Sequence, residues 1–246
     1  MLTYALLAAS VVGLLSFSGA ISLAIKADKL NKILIYLVSF SAGSMIGAAF
    51  FHMLPEVIEV SGQTLTVFVF VLVGFSLFFI LERILRWHHC HDTDCQTHEH
   101  LGWLNLIGDG VHNLVDGMVI FASFAGGPAL GIPVTMSIIL HEVPQELGDF
   151  GVLLYSGFSR RRALVYNFLS AGVAIIGVLI AYLLYSFNDL VSLFLLPFAA
   201  GGFIYIAASD LIPEIHKDNH LVRAFVSYAL FIIALVFMYF MKILFE

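Results

Sequence analysis

Two short polar signatures stand in strongly apolar surroundings: His112-Asn113-Leu114-Val115-Asp116-Gly117 and His141-Glu142-Val143-Pro144-Gln145-Glu146. His112 and Asp116 are four residues apart, as are His141 and Gln145, and Glu142 and Glu146. On a helix each pair shares one face, a turn apart. Asn113 lies beside the first pair, and Asp149 continues the acidic face of the second segment. Imidazole nitrogen and carboxylate oxygen suit zinc, iron, manganese and related divalent ions. These groups outnumber their basic neighbours in both segments, so their mutual repulsion is unrelieved without a cation. Ionisable side chains are costly in a membrane interior unless paired, and they mark ion pathways there. The two signatures therefore predict a metal ion passing through a membrane.

Three other readings compete. A polar network could pack two helices together without metal. A membrane metal sensor or receptor would bind the ion and show no flux. An intramembrane metal-dependent hydrolase is the third. Against it, Pro144 and Gln145 break the His-Glu-x-x-His order of zinc hydrolases, and no serine or cysteine nucleophile stands out, so the chain is read as a non-enzyme.

Further candidate ligands surround the core. His52 reaches it from a second helix, Glu56 lines the entrance, and Asp109 stands one turn before Asn113. Asp210 and Glu214 line the exit. Asn167 and Ser170 offer weaker oxygens. A separate tract carries His88, His89, Cys90, His91, Cys95, His98 and His100 with three acids, a composition that reads as metal-binding. Its spacing matches no ordered zinc finger. Cys90 and Cys95 lie inside it and make no disulfide framework.

The elements that position these residues follow from composition. Of 246 residues, 61% are hydrophobic and 11% charged, well below the share of about 25% in soluble domains, so lipid must cover part of the chain. A net charge of −6 without a basic patch argues against nucleic acid. Eight segments reach the roughly 20 apolar residues of a bilayer crossing: 2–25, 33–58, 64–87, 101–126, 130–157, 162–187, 190–215 and 221–245. The first lacks a positive leader and is read as a spanning helix rather than a signal peptide. The fourth and fifth are the least apolar, as suits helices inside a bundle.

In this eight-helix arrangement Lys26, Lys29, Lys32, Arg83, Arg86, Arg160, Arg161, Arg162, Lys217 and Arg223 all fall on one side, and only Lys242 dissents. The positive-inside rule puts that side in the cytoplasm and both termini outside. The chain reads as a single transmembrane transporter domain, 1–246, multi-pass in the plasma (inner) membrane, with its His/Cys-rich loop at about 88–100 on the cytoplasmic side. The second helix ends His52-Met53-Leu54-Pro55-Glu56 and the seventh Asp210-Leu211-Ile212-Pro213-Glu214, each after a small-residue stretch around Gly43 or Gly201. The two run in opposite directions. That predicts an inverted repeat, helices 1–3 against 6–8 around helices 4–5, the architecture of alternating access around a midplane site.

The two signatures, the His-Met-Leu-Pro-Glu run, the eight helices and the histidine-rich loop together resemble the ZIP family of divalent metal transporters, in its LIV-1-like branch. The resemblance covers essentially the whole chain and extends in the second signature through Leu147-Gly148-Asp149-Phe150. It implies a binuclear metal centre between helices two, four and five. One site would use His52, His112, Asp116, His141 and Gln145; the other Asn113 and Glu142, with Asp116, Gln145 and a helix-six oxygen. Family members carry a second histidine where this chain has Gln145, a neutral and weaker ligand. That weakens affinity, shifts metal preference or passes a role to Glu146. The resemblance also implies a homodimer. The expected function is uptake of a divalent cation, zinc first and Cd2+, Fe2+ or Mn2+ as alternatives, into the cytoplasm by alternating access.

Overall fold

A computed structural model describes residues 1–22, 27–87, 99–187, 191–217 and 220–245. Among them the chain is helical, with no strand. Only closed hydrogen-bonding patterns survive in lipid, and a helix satisfies its own backbone.

Helix α1 (Leu2–Leu14) passes through a 3-10 turn into α2 (Ser18–Ser22). Helix α3 (Ala27–Gly47) continues through a π-helical turn, Ala48–Met53, into α4 (Leu54–Ser61), which ends where Gly62 turns left-handed. Then come α5 (Thr64–Trp87), α6 (Glu99–Ala125) and α7 (Pro128–Tyr155). Helix α8 (Arg160–Ala171) starts under a Ser159 cap, whose hydroxyl accepts from the Arg162 N–H, and α9 (Val173–Phe187) follows it. Helix α10 (Val191–Ile206) runs through a second π-helical turn, Ala207–Leu211, into α11 (Ile212–His216), and α12 (Leu221–Phe245) closes the chain.

Both π-helical turns sit directly before a proline at the start of the next helix, Pro55 and Pro213. Proline lacks an N–H and clashes with the carbonyl four residues earlier. Widening the preceding turn by one residue absorbs that clash.

Six described segments are long and apolar enough to cross a membrane: Leu2–Ala20, Ile33–Ser61, Thr64–Arg83, Arg160–Tyr185, Leu193–His216 and Leu221–Phe245. Helices α6 and α7, 27 and 28 residues long, have the length but carry the polar signatures. Outward-facing side chains of α5 and α12, such as Leu65, Leu72, Phe79, Phe225, Tyr228 and Phe240, form exposed apolar faces, as expected against acyl chains.

The helices pack most closely within two sets. In one, α3 lies on α12 and α5 on α10. In the other, α6 lies between α7 and α9, with α1 alongside. Glycine permits the closest approaches. A Cβ at Gly201 would lie 2.0 Å from the Val71 carbonyl, and one at Gly117 would lie 1.9 Å from the Ala174 carbonyl. Small residues at helix contacts are the usual device in membranes, where backbones must approach for lack of a hydrophobic force between helices. The sets meet where α7 packs against α3 and α6 against α10, and the polar signatures lie along that seam.

Candidate metal centre

Helix α6 carries Asn105, Asp109, His112, Asn113 and Asp116 at helical spacing, and α7 carries His141, Glu142, Gln145, Glu146 and Asp149. The two stripes face each other. Four residues converge: His112, Asp116, His141 and Glu142 each offer a ligand atom, all within 4.8 Å of one another. Three of them are buried and His112 nearly so.

The separations are informative. His112 Nε2 lies 3.2 Å from His141 Nε2, 3.6 Å from Asp116 Oδ2 and 3.4 Å from Glu142 Oε1. His141 Nε2 lies 3.1 Å from Asp116 Oδ2 and 3.5 Å from Glu142 Oε1. Ligands held tetrahedrally at zinc distances stand about 3.3 Å from one another. The five separations bracket that value.

Protonation fits as well. His141 Nδ1 donates to the Ser137 carbonyl at 3.0 Å. Its Nε2 then presents a lone pair, oriented from behind as metal-binding histidines usually are. Both Glu142 oxygens are buried without a hydrogen-bond partner. A buried carboxylate without a donor is costly, and a cation between the four groups removes that cost.

Toward the ends of α6 and α7 that adjoin the basic segments, the chemistry changes to oxygen and amide. Asp109 Oδ1 accepts from the side-chain amides of Asn113 at 2.9 Å and Gln145 at 3.1 Å. Asn105 donates to Asp149 at 3.0 Å. Asn167 of α8 donates to the buried Glu146 carboxylate. Asp109 Oδ2, Asn113 Oδ1, Glu146 Oε1 and Asp149 Oδ2 remain buried without partners.

Other sequence-predicted residues lie apart from the four. His52 is buried, with Nε2 2.9 Å from the Met238 carbonyl of α12. Glu56 is half-buried in α4, facing the α6–α7 turn at Gly126. Glu214 is exposed and pairs with Lys217. Asp210 lines a cavity. His88, His89, Cys90, His91, Cys95 and His98 lie outside the described residues, and so does the side chain of His100.

That cavity, of about 460 Å³, runs from His112 along Asp109, Gln145 and Asp149 to Glu82, Tyr205 and Asp210. Its lining is acidic and, among the described residues, contains no lysine or arginine. Asn105, Glu82 and Tyr205 do not stand out in the sequence as ligands. Asn105 extends the α6 stripe by one turn, which is a readable signal. The bond from Tyr205 to Glu82 joins α10 to α5, and no local pattern announces it.

The fold and site define a polytopic helical membrane protein with a buried, metal-competent cluster between two long helices. The chain belongs to the ZIP zinc transporter family, whose sequence profile matches residues 1–91 and 86–242. It is similar to zinc transporter ZIP10 of Homo sapiens, 38% identical over 147 residues, covering 54% of this chain and 18% of that one. It is 30% identical over 245 residues to zinc transporter zipt-7.1 of Caenorhabditis briggsae, covering 74% and 62%. It is 43% identical over 124 residues to zinc transporter SLC39A7 of Canis lupus familiaris, covering 48% and 26%. The chain thus spans 18% to 62% of the length of these relatives. ZIP10 belongs to the LIV-1 branch that the two signatures resemble.

Proposed function

We propose that this protein carries a divalent cation, zinc foremost, across the membrane into the cytoplasm. The observation that carries this reading is the quartet His112, Asp116, His141 and Glu142, buried midway along α6 and α7 with separations suited to tetrahedral zinc. Imidazole and carboxylate replace the water shell that the ion loses. Asn113, Gln145, Glu146, Asp109 and Asp149 hold a second ion beside it or receive the first on its way in. Adjacent sites ease release, because binding must be weak enough to leave. Cd2+, Fe2+ and Mn2+ suit the same donor set.

Counting α6 and α7 with the six apolar segments gives eight crossings. The inverted repeat then has structural support. Gly43 and Gly201, His52 and Asp210, Pro55 and Pro213, and Glu56 and Glu214 correspond at one constant spacing. Each of these two segments carries a π-helical turn shortly before its proline. The pairing of α3 with α12 mirrors that of α10 with α5.

The cavity lies wholly toward the ends of α5, α6, α7 and α10 that adjoin the basic segments, the cytoplasmic face by the positive-inside rule. Toward the opposite face lie Ile120, Ile138, Met53, Leu196 and Phe203, all buried in one apolar cluster. This asymmetry favours an inward-facing state, with the outward-facing one reached by movement of one helix set against the other. A homodimer and the plasma membrane remain part of the proposal on family grounds.

Anomalous scattering from zinc-grown crystals tests the site. A peak should appear between His112, Asp116, His141 and Glu142. Zinc confined to residues 88–100 would overturn the assignment. Metal binding without flux in sealed vesicles would favour a sensor instead.

A further inference from the structure

Pro144 lies inside α7 and has no N–H to give. The carbonyl of Leu140, four residues earlier, therefore loses its helical donor. That carbonyl belongs to the peptide leading directly into His141. In the interior of a membrane a carbonyl without a donor is costly, and neighbouring serine hydroxyls are among the groups that re-satisfy it.

The donor comes from the other helix set. Ser41 of α3 is fully buried, and its Oγ lies 2.5 Å from the Leu140 carbonyl oxygen. The same Oγ is 2.8 Å from the Leu37 carbonyl of its own helix. A hydroxyl has one proton and can serve only one of them at a time. The Leu37 carbonyl is also the helical acceptor for the Ser41 N–H, whereas the Leu140 carbonyl has lost its helical donor. The proton therefore belongs with Leu140 while α3 and α7 are together. When they separate, it can fall back on Leu37, so the buried hydroxyl is never stranded.

The same turn of α7 is fixed from the other side. The Ser137 carbonyl accepts from His141 Nδ1, so ring and backbone of this turn are both tied. We infer that Ser41 is a positioning residue for the metal centre: by holding the carbonyl that Pro144 strands, it sets the turn of α7 that aims His141 and Glu142. This rests on the metal-centre reading above. It also makes the aim of the ligands depend on contact between the two helix sets, because Ser41 belongs to one set and the ligands to the other.

The test uses the full-length protein with four changes: Ser41→Ala, Ser41→Thr, Pro144→Ala and the Ser41→Ala/Pro144→Ala double variant. Zinc affinity is read in detergent by competition with a fluorescent chelator, and KM and turnover are read by zinc flux in proteoliposomes. Ser41→Ala should weaken zinc binding about tenfold, at the lower end of the range for groups that orient metal ligands from behind. It should raise KM more than it lowers turnover. Ser41→Thr keeps the hydroxyl and should restore affinity. Pro144→Ala supplies an N–H to the Leu140 carbonyl, so removing Ser41 in that background should cost less than about threefold, the signature of two coupled positions. The inference is overturned if Ser41→Ala binds zinc like the parent, or loses as much in the Pro144→Ala background as without it. A parent protein that binds no zinc defeats the metal-centre reading itself. A parent that binds zinc beside an unchanged Ser41→Ala variant defeats only the role given to Ser41.

Discussion

His112 and His141 face each other nitrogen to nitrogen at 3.2 Å. Two imidazole lone pairs at that distance repel unless a proton or a metal lies between them. Replacing either histidine by alanine should weaken zinc binding by about a hundredfold or more, beyond the roughly 10- to 100-fold cost of losing a supporting group; isothermal titration of the purified variants checks this. Gln145 is a neutral side chain between two acids of α7, Glu142 and Glu146. Its amide is drawn to Asp109, leaving the quartet with two nitrogens and two carboxylates. A third nitrogen, introduced by Gln145→His, should favour the softer ions, because imidazole suits zinc while carboxylate, carbonyl and water suit manganese. Competition binding should show the preference for zinc over manganese rising about tenfold. An unchanged preference would remove Gln145 from the list of selectivity determinants.

Close backbone contact, more than side-chain volume, joins the helices within each set. Gly201→Val would drive a side chain into the Val71 carbonyl and should destabilise the protein by about 3 kcal/mol, the upper range for overpacking. A Cβ added at Gly148 would have nothing within 4 Å, so this position should accept alanine with a gain of up to about 1 kcal/mol from helix propensity. Thermal unfolding in one detergent compares the two. At this scale the sequence was legible where periodicity and composition decide: the apolar segments, the low apolarity of the two central helices and the stripes of His112 and His141. It was silent where a partner lies far along the chain. Nothing near Ser41 reveals that its hydroxyl meets Leu140, and nothing near His52 reveals that its ring faces Met238. The π-helical turns were also hidden. Leu-Pro-Glu and Ile-Pro-Glu announce an irregularity, but the way the helix absorbs it depends on neighbours packed against it.

At the scale of the whole molecule an acidic cavity lies on one side of the quartet and a buried apolar cluster on the other. In a cysteine-free background, Val152→Cys lines the cavity. It should react with a membrane-impermeant maleimide from the face of the basic segments and not from the opposite face. Deleting residues 88–100 should leave zinc binding at the core intact while altering inward release or its regulation. Loss of all zinc binding on that deletion would move the centre out of the membrane. Movement of metal across the membrane is measured by uptake into sealed vesicles. Proteoliposomes loaded with a zinc-sensitive dye should brighten when zinc is added outside. The His141→Ala protein, reconstituted at equal density, should not brighten beyond empty liposomes. A parent protein that binds zinc yet leaves the dye dark in both orientations is a metal-binding protein and not a carrier.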